Sequence, residues 1–149
     1  MTLTVRNATI DDLSAIVALL NDDILGRSRD NIADLSPYKT AFAAIDADPA
    51  QHLVVMTDGD RIVGSLQLSI IPGLSRGGAL RGQIESVRIA SDARGGGAGA
   101  GLIGWAIEEA RRQGCSIVQL TSDLQRTDAI RFYERLGFEH THAGLKLAL

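Results

Sequence analysis

The sequence predicts an α/β chain of the α+β type, with helices flanking one mixed, mostly antiparallel central sheet. Three observations lead there. Two β-branched or apolar runs, His52–Thr57 and Arg61–Ile70, flank the tight-turn triplet Asp58-Gly59-Asp60 and predict an antiparallel hairpin. A central strand ending at Ile89 breaks into a glycine loop and leaves as a long amphipathic helix, with another strand at Ile117–Thr121 beyond it. That arrangement predicts a right-handed parallel crossover. Read end to end, the apolar periodicity spells the order βααβββαβαββ.

A chain of 149 residues buries one good core and is short for two, so a single domain over 1–149 is expected. With 45% apolar and 22% charged residues, and no uncharged apolar run of about 18 residues, the composition is that of a globular protein rather than a membrane-spanning or disordered one. The net charge is −3 and the basic residues are scattered, which leaves no electrostatic footprint for nucleic acid or an anionic membrane. A small-molecule partner fits better. The single cysteine, Cys115, has no internal disulfide partner, and no basic and apolar leader follows Met1, so a cytoplasmic setting is expected.

Thr2–Arg6 reads as the first strand. Thr9 and Asp12 form an N-terminal capping arrangement ahead of the apolar face Leu13, Ile16, Val17 and Leu20. Beyond the polar stretch Asn21–Ser36, Ser36-Pro37 opens a second helix with Tyr38, Ala41, Phe42 and Ile45 on one face. The hairpin comes next, then the glycine-bearing loop Ile71–Gly78 and the central strand from about Ala79 to Ile89. Within that strand Leu80 and Ile84 are even and Val87 and Ile89 odd, which a period-two strand achieves only through a bulge near Glu85 or Ser86. The following helix carries Leu102, Ile103, Ala106, Ile107 and Ala110 and stops at Gly114; a last helix carries Ala129, Phe132, Tyr133 and Leu136 and stops at Gly137. Phe138–His140 and Leu145–Leu149 complete the reading as a terminal strand pair.

The glycine loop is the chemical centre of the sequence. Five glycines stand among the seven residues from Gly95 to Gly101, between a strand and a helix start. There, backbone N–H groups meet a ligand with no side chain in the way, and the unpaired amides and the helix dipole favour phosphate. Gly99-x-Gly101-x-x-Gly104 also matches a dinucleotide fingerprint, with Asp123 after the next strand as a ribose-binding acid. Context weakens that match: the first glycine does not directly follow the strand, and only 26 residues remain after Asp123 for further strand-helix units. No Gly-Lys-Ser or Gly-Lys-Thr follows, which excludes a P-loop.

Arg94-Gly-Gly-Gly97-Ala-Gly99, preceded by Val87-Arg-Ile89, resembles the Arg-x-x-Gly-x-Gly pyrophosphate motif of the GNAT (Gcn5-related) N-acetyltransferase superfamily. Arg131-Phe-Tyr-Glu-Arg-Leu-Gly-Phe138 is similar to that family's helix-to-strand signature, and the two motifs stand in the family's order. The resemblance implies acetyl-CoA or another acyl-CoA as cosubstrate, its pyrophosphate held by Arg94, Gly95, Gly96, Gly97, Ala98 and Gly99. The backbone of Val87, Arg88 and Ile89 would pair with the pantetheine arm, where family members splay the central strand from the next.

The resemblance also implies roles in catalysis. Glu85 matches a glutamate that takes the amine's proton, often through water, and a charge in a central strand is otherwise disfavoured. Tyr133 matches a tyrosine that bonds the coenzyme sulfur and protonates the thiolate, with a core aromatic role as its rival. A backbone N–H near Val87–Ile89 would polarise the thioester carbonyl. Where many relatives carry an asparagine seven residues before the tyrosine, this chain has Arg126; reaching a coenzyme phosphate and plain solvation both stay open for it, as does a part for Ser122 or Asp123. His52, His140 and His142 form no metal pattern, Trp105 suits packing, and Cys115 suits filling at a strand entrance.

The expected activity is acetyl transfer from acetyl-CoA to a primary amine of a small molecule, by direct attack in a ternary complex. Its acceptor pocket would draw on Asp22–Tyr38, the Gly73–Gly82 loop and the terminal strand connection. Two alternatives stay beside it: a protein or peptide N-acetyltransferase, and an acyl-CoA-binding sensor without turnover. A homodimer is compatible with the resemblance alone.

Overall fold

The computed structural model describes residues 2–22 and 29–149, and the chain divides into two compact units, Met1–Gln119 and Leu120–Leu149. The first unit is a five-stranded sheet in the order β1-β2-β3-β4-β5. β1 (Leu3–Asn7), β2 (Gln51–Asp58), β3 (Arg61–Pro72) and β4 (Leu80–Ile89) pair antiparallel in succession. β5 (Cys115–Gln119) lies parallel to β4, as the crossover requires. Asp58 pairs with Arg61 across a tight turn in which Gly59 adopts φ 59°, a left-handed conformation that costs glycine little.

α1 (Leu13–Asn21) and α2 (Ser36–Ala47) cover one face of the sheet. Leu13, Val17 and Phe42 form a buried cluster there, against which Leu53, Leu35 and Tyr38 pack. α1 is preceded by a 3₁₀ turn, Ile10–Asp12, and the expected capping carboxylate is in place: the Thr9 amide donates to Asp12 Oδ2 at 2.8 Å. Arg6 of β1 donates to both Asp12 oxygens, at 2.7 and 3.0 Å, and holds the carboxyl below its ordinary range.

α4 (Ala98–Arg112) covers the other face and buries Leu102, Ile103, Ala106 and Ala110 completely against the sheet. Each of the larger two contributes about 2 kcal/mol of apolar burial. Approach is close enough to need a small residue on the sheet: a Cβ on Gly82 would stand 3.2 Å from the Ala110 Cβ. The loop between β3 and β4 holds one tight turn, α3 (Ser75–Gly78), in which Arg76 and Gly77 are left-handed at φ 56° and 71°. No described helix is long and apolar enough to cross a membrane.

The second unit contains α5 (Thr127–Arg135). Gly137 at φ 100° ends it, and the Phe138 amide returns to the Tyr133 carbonyl at 3.1 Å. The expected terminal strand pair is absent: no strand occurs among residues 138–149, and Leu145, Leu147 and Leu149 are 94%, 86% and 117% exposed. Their alternation suits a strand, but a strand exists only with a partner ladder, and this segment has none among the described residues. The observed order therefore lacks the last two strands.

Candidate active site

The centre of the first unit is a bulge in β4. Ser65 pairs with Arg88 and Gln67 with Glu85, so Leu66 alone opposes Ser86 and Val87. Ser86 takes up the extra residue at φ 55°, rare for a side chain other than glycine. The bulge resets which face each residue takes. Ile84 is buried, and after the bulge Ile89 again reaches the α4 side, its Cδ1 crowding the position of a Cβ on Gly64. The parity break in the sequence is this bulge.

β4 also parts from β5. The parallel pairing covers only Leu80–Gln83, so the β5-side edge from Ile84 to Ile89 has no strand partner among the described residues. That edge carries Val87, Arg88 and Ile89, whose opposite edge is paired with β3.

The glycine loop follows directly. The Arg94 Nε donates to the Ile89 carbonyl at 3.1 Å and folds the loop back onto the strand end. Arg61 of β3 bonds Asp92, which lowers the Asp92 carboxyl and ties the preceding 3₁₀ turn to the sheet. Gly95 and Gly97 stand at φ 84° and 86°, where a side chain is strained. Gly97 is the N-cap of α4, and no side chain caps the helix. Its first amides thus keep the unpaired donors and positive dipole that bind phosphate oxygens. Arg94, Gly95, Gly96, Gly97 and Gly99 are exposed or half-buried around this helix start, and Ala98 is buried at 2% exposure.

The Glu85 side chain is exposed and makes no hydrogen bond or ion pair among the described residues. Its face of the sheet carries a row of polar side chains that sequence reasoning passed over. Gln67 Nε2 donates to Gln51 Oε1 at 2.8 Å, the same oxygen accepts Ser69 Oγ at 2.6 Å, and Gln119 Nε2 donates to Gln83 Oε1 at 2.8 Å. The alternation of polar residues at 65, 67 and 69 was a visible sign of this face. Beside it, a cavity of about 110 Å³ opens between the sheet and α1 and α2, its walls including Leu13, Tyr38, Phe42, Gln67 and Ser86.

Tyr133 and Arg126 belong to the second unit. Tyr133 meets Phe132 and Phe138 edge to face at ring-centroid distances of 5.1 and 5.7 Å. Arg126 precedes α5, and its carbonyl accepts the amides of Ala129 and Ile130. Asp123 bonds the Gln125 amide, a local turn role. In the first unit, burial raises the Cys115 thiol above its ordinary value, which suits packing and not nucleophilic work. The acceptor region expected at Asp22–Tyr38 lies partly outside the described residues.

Comparisons with known proteins bear on the family and the fold. Residues 13–138 match the family model described as Acetyltransferase (GNAT) family. The aminoalkylphosphonate N-acetyltransferase of Salmonella typhimurium is 30% identical over 144 residues, covering 97% of this chain and 90% of that protein. A structure of a transcriptional regulator from Bacillus halodurans C-125 superposes with a TM-score of 0.97 at 45% identity, covering 99% of this chain and all of that one. A putative acetyltransferase from Agrobacterium tumefaciens superposes with a TM-score of 0.87 at 27% identity, over 98% of this chain and 99% of that one. With a glycine loop at an uncapped helix start, a bulged and splayed central strand, and a family match over most of its length, the chain belongs to the GNAT family of acyl-CoA-dependent acetyltransferases.

Proposed function

We propose that this protein transfers an acetyl group from acetyl-CoA to the primary amine of a small molecule, by direct attack within a ternary complex. The observation that carries the reading is the β4 edge left unpaired beyond Gln83, running straight into the uncapped glycine loop. An extended arm bearing amides suits such an edge, and a pyrophosphate suits such a loop. The aminoalkylphosphonate acetyltransferase acts on a small amine by its name, which favours that acceptor class here.

Glu85 takes a proton from the ammonium, directly or through water, and the neutral nitrogen attacks the thioester carbonyl carbon. As the C–N bond forms, a backbone N–H in Val87–Ile89 stabilises the carbonyl oxygen. The C–S bond then breaks with its electron pair on sulfur, Tyr133 supplies the proton that releases coenzyme A as the thiol, and the second proton that the nitrogen loses on becoming the neutral amide passes to solvent, from which the phenolate is reprotonated. Arg94 and the amides from Gly95 to Gly99 hold the pyrophosphate, and for Arg126 a coenzyme phosphate and plain solvation both stay open.

One domain, a homodimer and the cytoplasm belong to the same reading. The exposed leucines 145, 147 and 149 offer apolar surface to a second copy; light scattering reads the mass directly. Activity is tested by thiol release from acetyl-CoA with 2-aminoethylphosphonate, amino acids, spermidine, kanamycin and a short peptide as acceptors. Amine-dependent release with 2-aminoethylphosphonate or another small amine supports the reading. Release with the peptide alone favours a protein substrate, and coenzyme binding without release favours a sensor.

A further inference from the structure

We propose that Gln67 is a second acceptor-binding residue, whose side-chain carbonyl works with the Glu85 carboxylate to grip the N–H groups of the incoming amine. The proposal rests on the reading that Glu85 faces the acceptor. Gln67 is the direct cross-strand partner of Glu85, so both side chains rise from the same face of the sheet at neighbouring positions. Gln67 and Ser86 both line the cavity under α1 and α2, which places the amide on the wall of the space beside the bulge.

Gln51 Oε1 accepts from both Ser69 Oγ and Gln67 Nε2, and in this arrangement Gln67 commits an N–H to Gln51 and keeps its carbonyl oxygen as an acceptor. The nearby Ser65 hydroxyl is committed to the Val54 carbonyl at 3.0 Å and offers no rival donor. A site presenting one carboxylate and one neutral carbonyl wants a ligand rich in donors. A primary ammonium has three N–H groups, and after one proton passes to Glu85 two remain, one of which the Gln67 carbonyl holds while the lone pair stays free to attack. Gln67 therefore binds substrate without taking the proton.

The test compares steady-state thiol release by the wild type, Gln67→Leu and Gln51→Leu, with 2-aminoethylphosphonate first and then the other amines of the panel. The expected result for Gln67→Leu is a KM for the amine raised about tenfold, with the KM for acetyl-CoA unchanged and kcat altered less than about threefold. Gln51→Leu leaves Gln67 in place but frees its amide to turn, so a smaller rise in the same constant is expected; it also keeps the test alive should Gln67→Leu fold poorly. Wild-type turnover with an unmoved amine KM in both variants would overturn the inference alone, as would equal rises for both substrates. No amine-dependent release from the wild type with any acceptor would overturn the transfer reading and this inference with it.

Discussion

Arg94 donates its Nε–H to the carbonyl oxygen of Ile89, so the first residue of the glycine loop is tied to the last residue of β4. The strand edge and the glycine loop are thereby held as one unit. Arg94→Ala breaks the tie and removes a positive charge beside the loop. It is expected to raise the KM for acetyl-CoA by about tenfold, the effect of one lost charge-assisted contact, while the KM for the amine stays put. Initial rates with each substrate varied in turn check this.

Gly97 and Gly59 form a controlled pair. Both have positive φ, at 86° and 59°, and a Cβ on either would meet nothing within 4 Å. Alanine at each position should therefore cost a similar ~1–2 kcal/mol of backbone strain, with no clash to distinguish them. Only Gly97→Ala should also weaken acetyl-CoA binding, because only Gly97 shapes the start of α4. Thermal melts give the first comparison and calorimetric titration of acetyl-CoA the second.

Ser86 bears the strain of the bulge at φ 55°. Ser86→Gly relieves it and should raise stability by about 1 kcal/mol without loss of turnover. Ser86→Val puts a β-branched side chain into the same conformation, so a lower melting temperature and a fall in kcat are expected together. Denaturant unfolding beside kinetics separates the two effects.

Asp12 links β1 to the start of α1 through Arg6 and the Thr9 amide. Hydrogen bonding from Arg6 is the main cause of its lowered pKa. A carboxyl lowered on folding adds stability that is complete above its unfolded value of 3.8 and is lost as pH falls through its folded value. Asp12→Asn should thus cost roughly 1–3 kcal/mol at neutral pH, toward the low end because Arg6 is 47% exposed and solvent-screened. The gap to the wild type should narrow only below about pH 4. Urea unfolding at several pH values measures it.

Much of this architecture is readable from local residue patterns. Asp58-Gly59-Asp60 announces the hairpin because few other residues make that turn cheaply. The change of parity between Ile84 and Val87 locates the bulge because side-chain alternation cannot break without one. Long-range register is different in kind. The pairing of Gln67 with Glu85 follows from the register set where Pro72 meets Leu80 across the intervening loop, so the amide facing the candidate base became visible only in the assembled sheet. Leu145, Leu147 and Leu149 alternate as a strand would, yet alternation describes a face and says nothing of whether a neighbour exists to pair with. The left-handed turn at Arg76 and Gly77 carries no signal beyond a local excess of glycine.

The central claim is acetyl transfer to an amine by Glu85 and Tyr133 on a coenzyme held by the glycine loop. The most direct measurement is amine-dependent thiol release from acetyl-CoA by the wild type and by the double variant Glu85→Gln/Tyr133→Phe, with acetyl-CoA affinity measured on both. Loss of both proton carriers should lower kcat by at least about 100-fold, in the range of general acid-base catalysis, while the affinity stays within about twofold. Unchanged turnover in the double variant, or a wild type that neither binds acetyl-CoA nor releases thiol with any amine, would contradict the account.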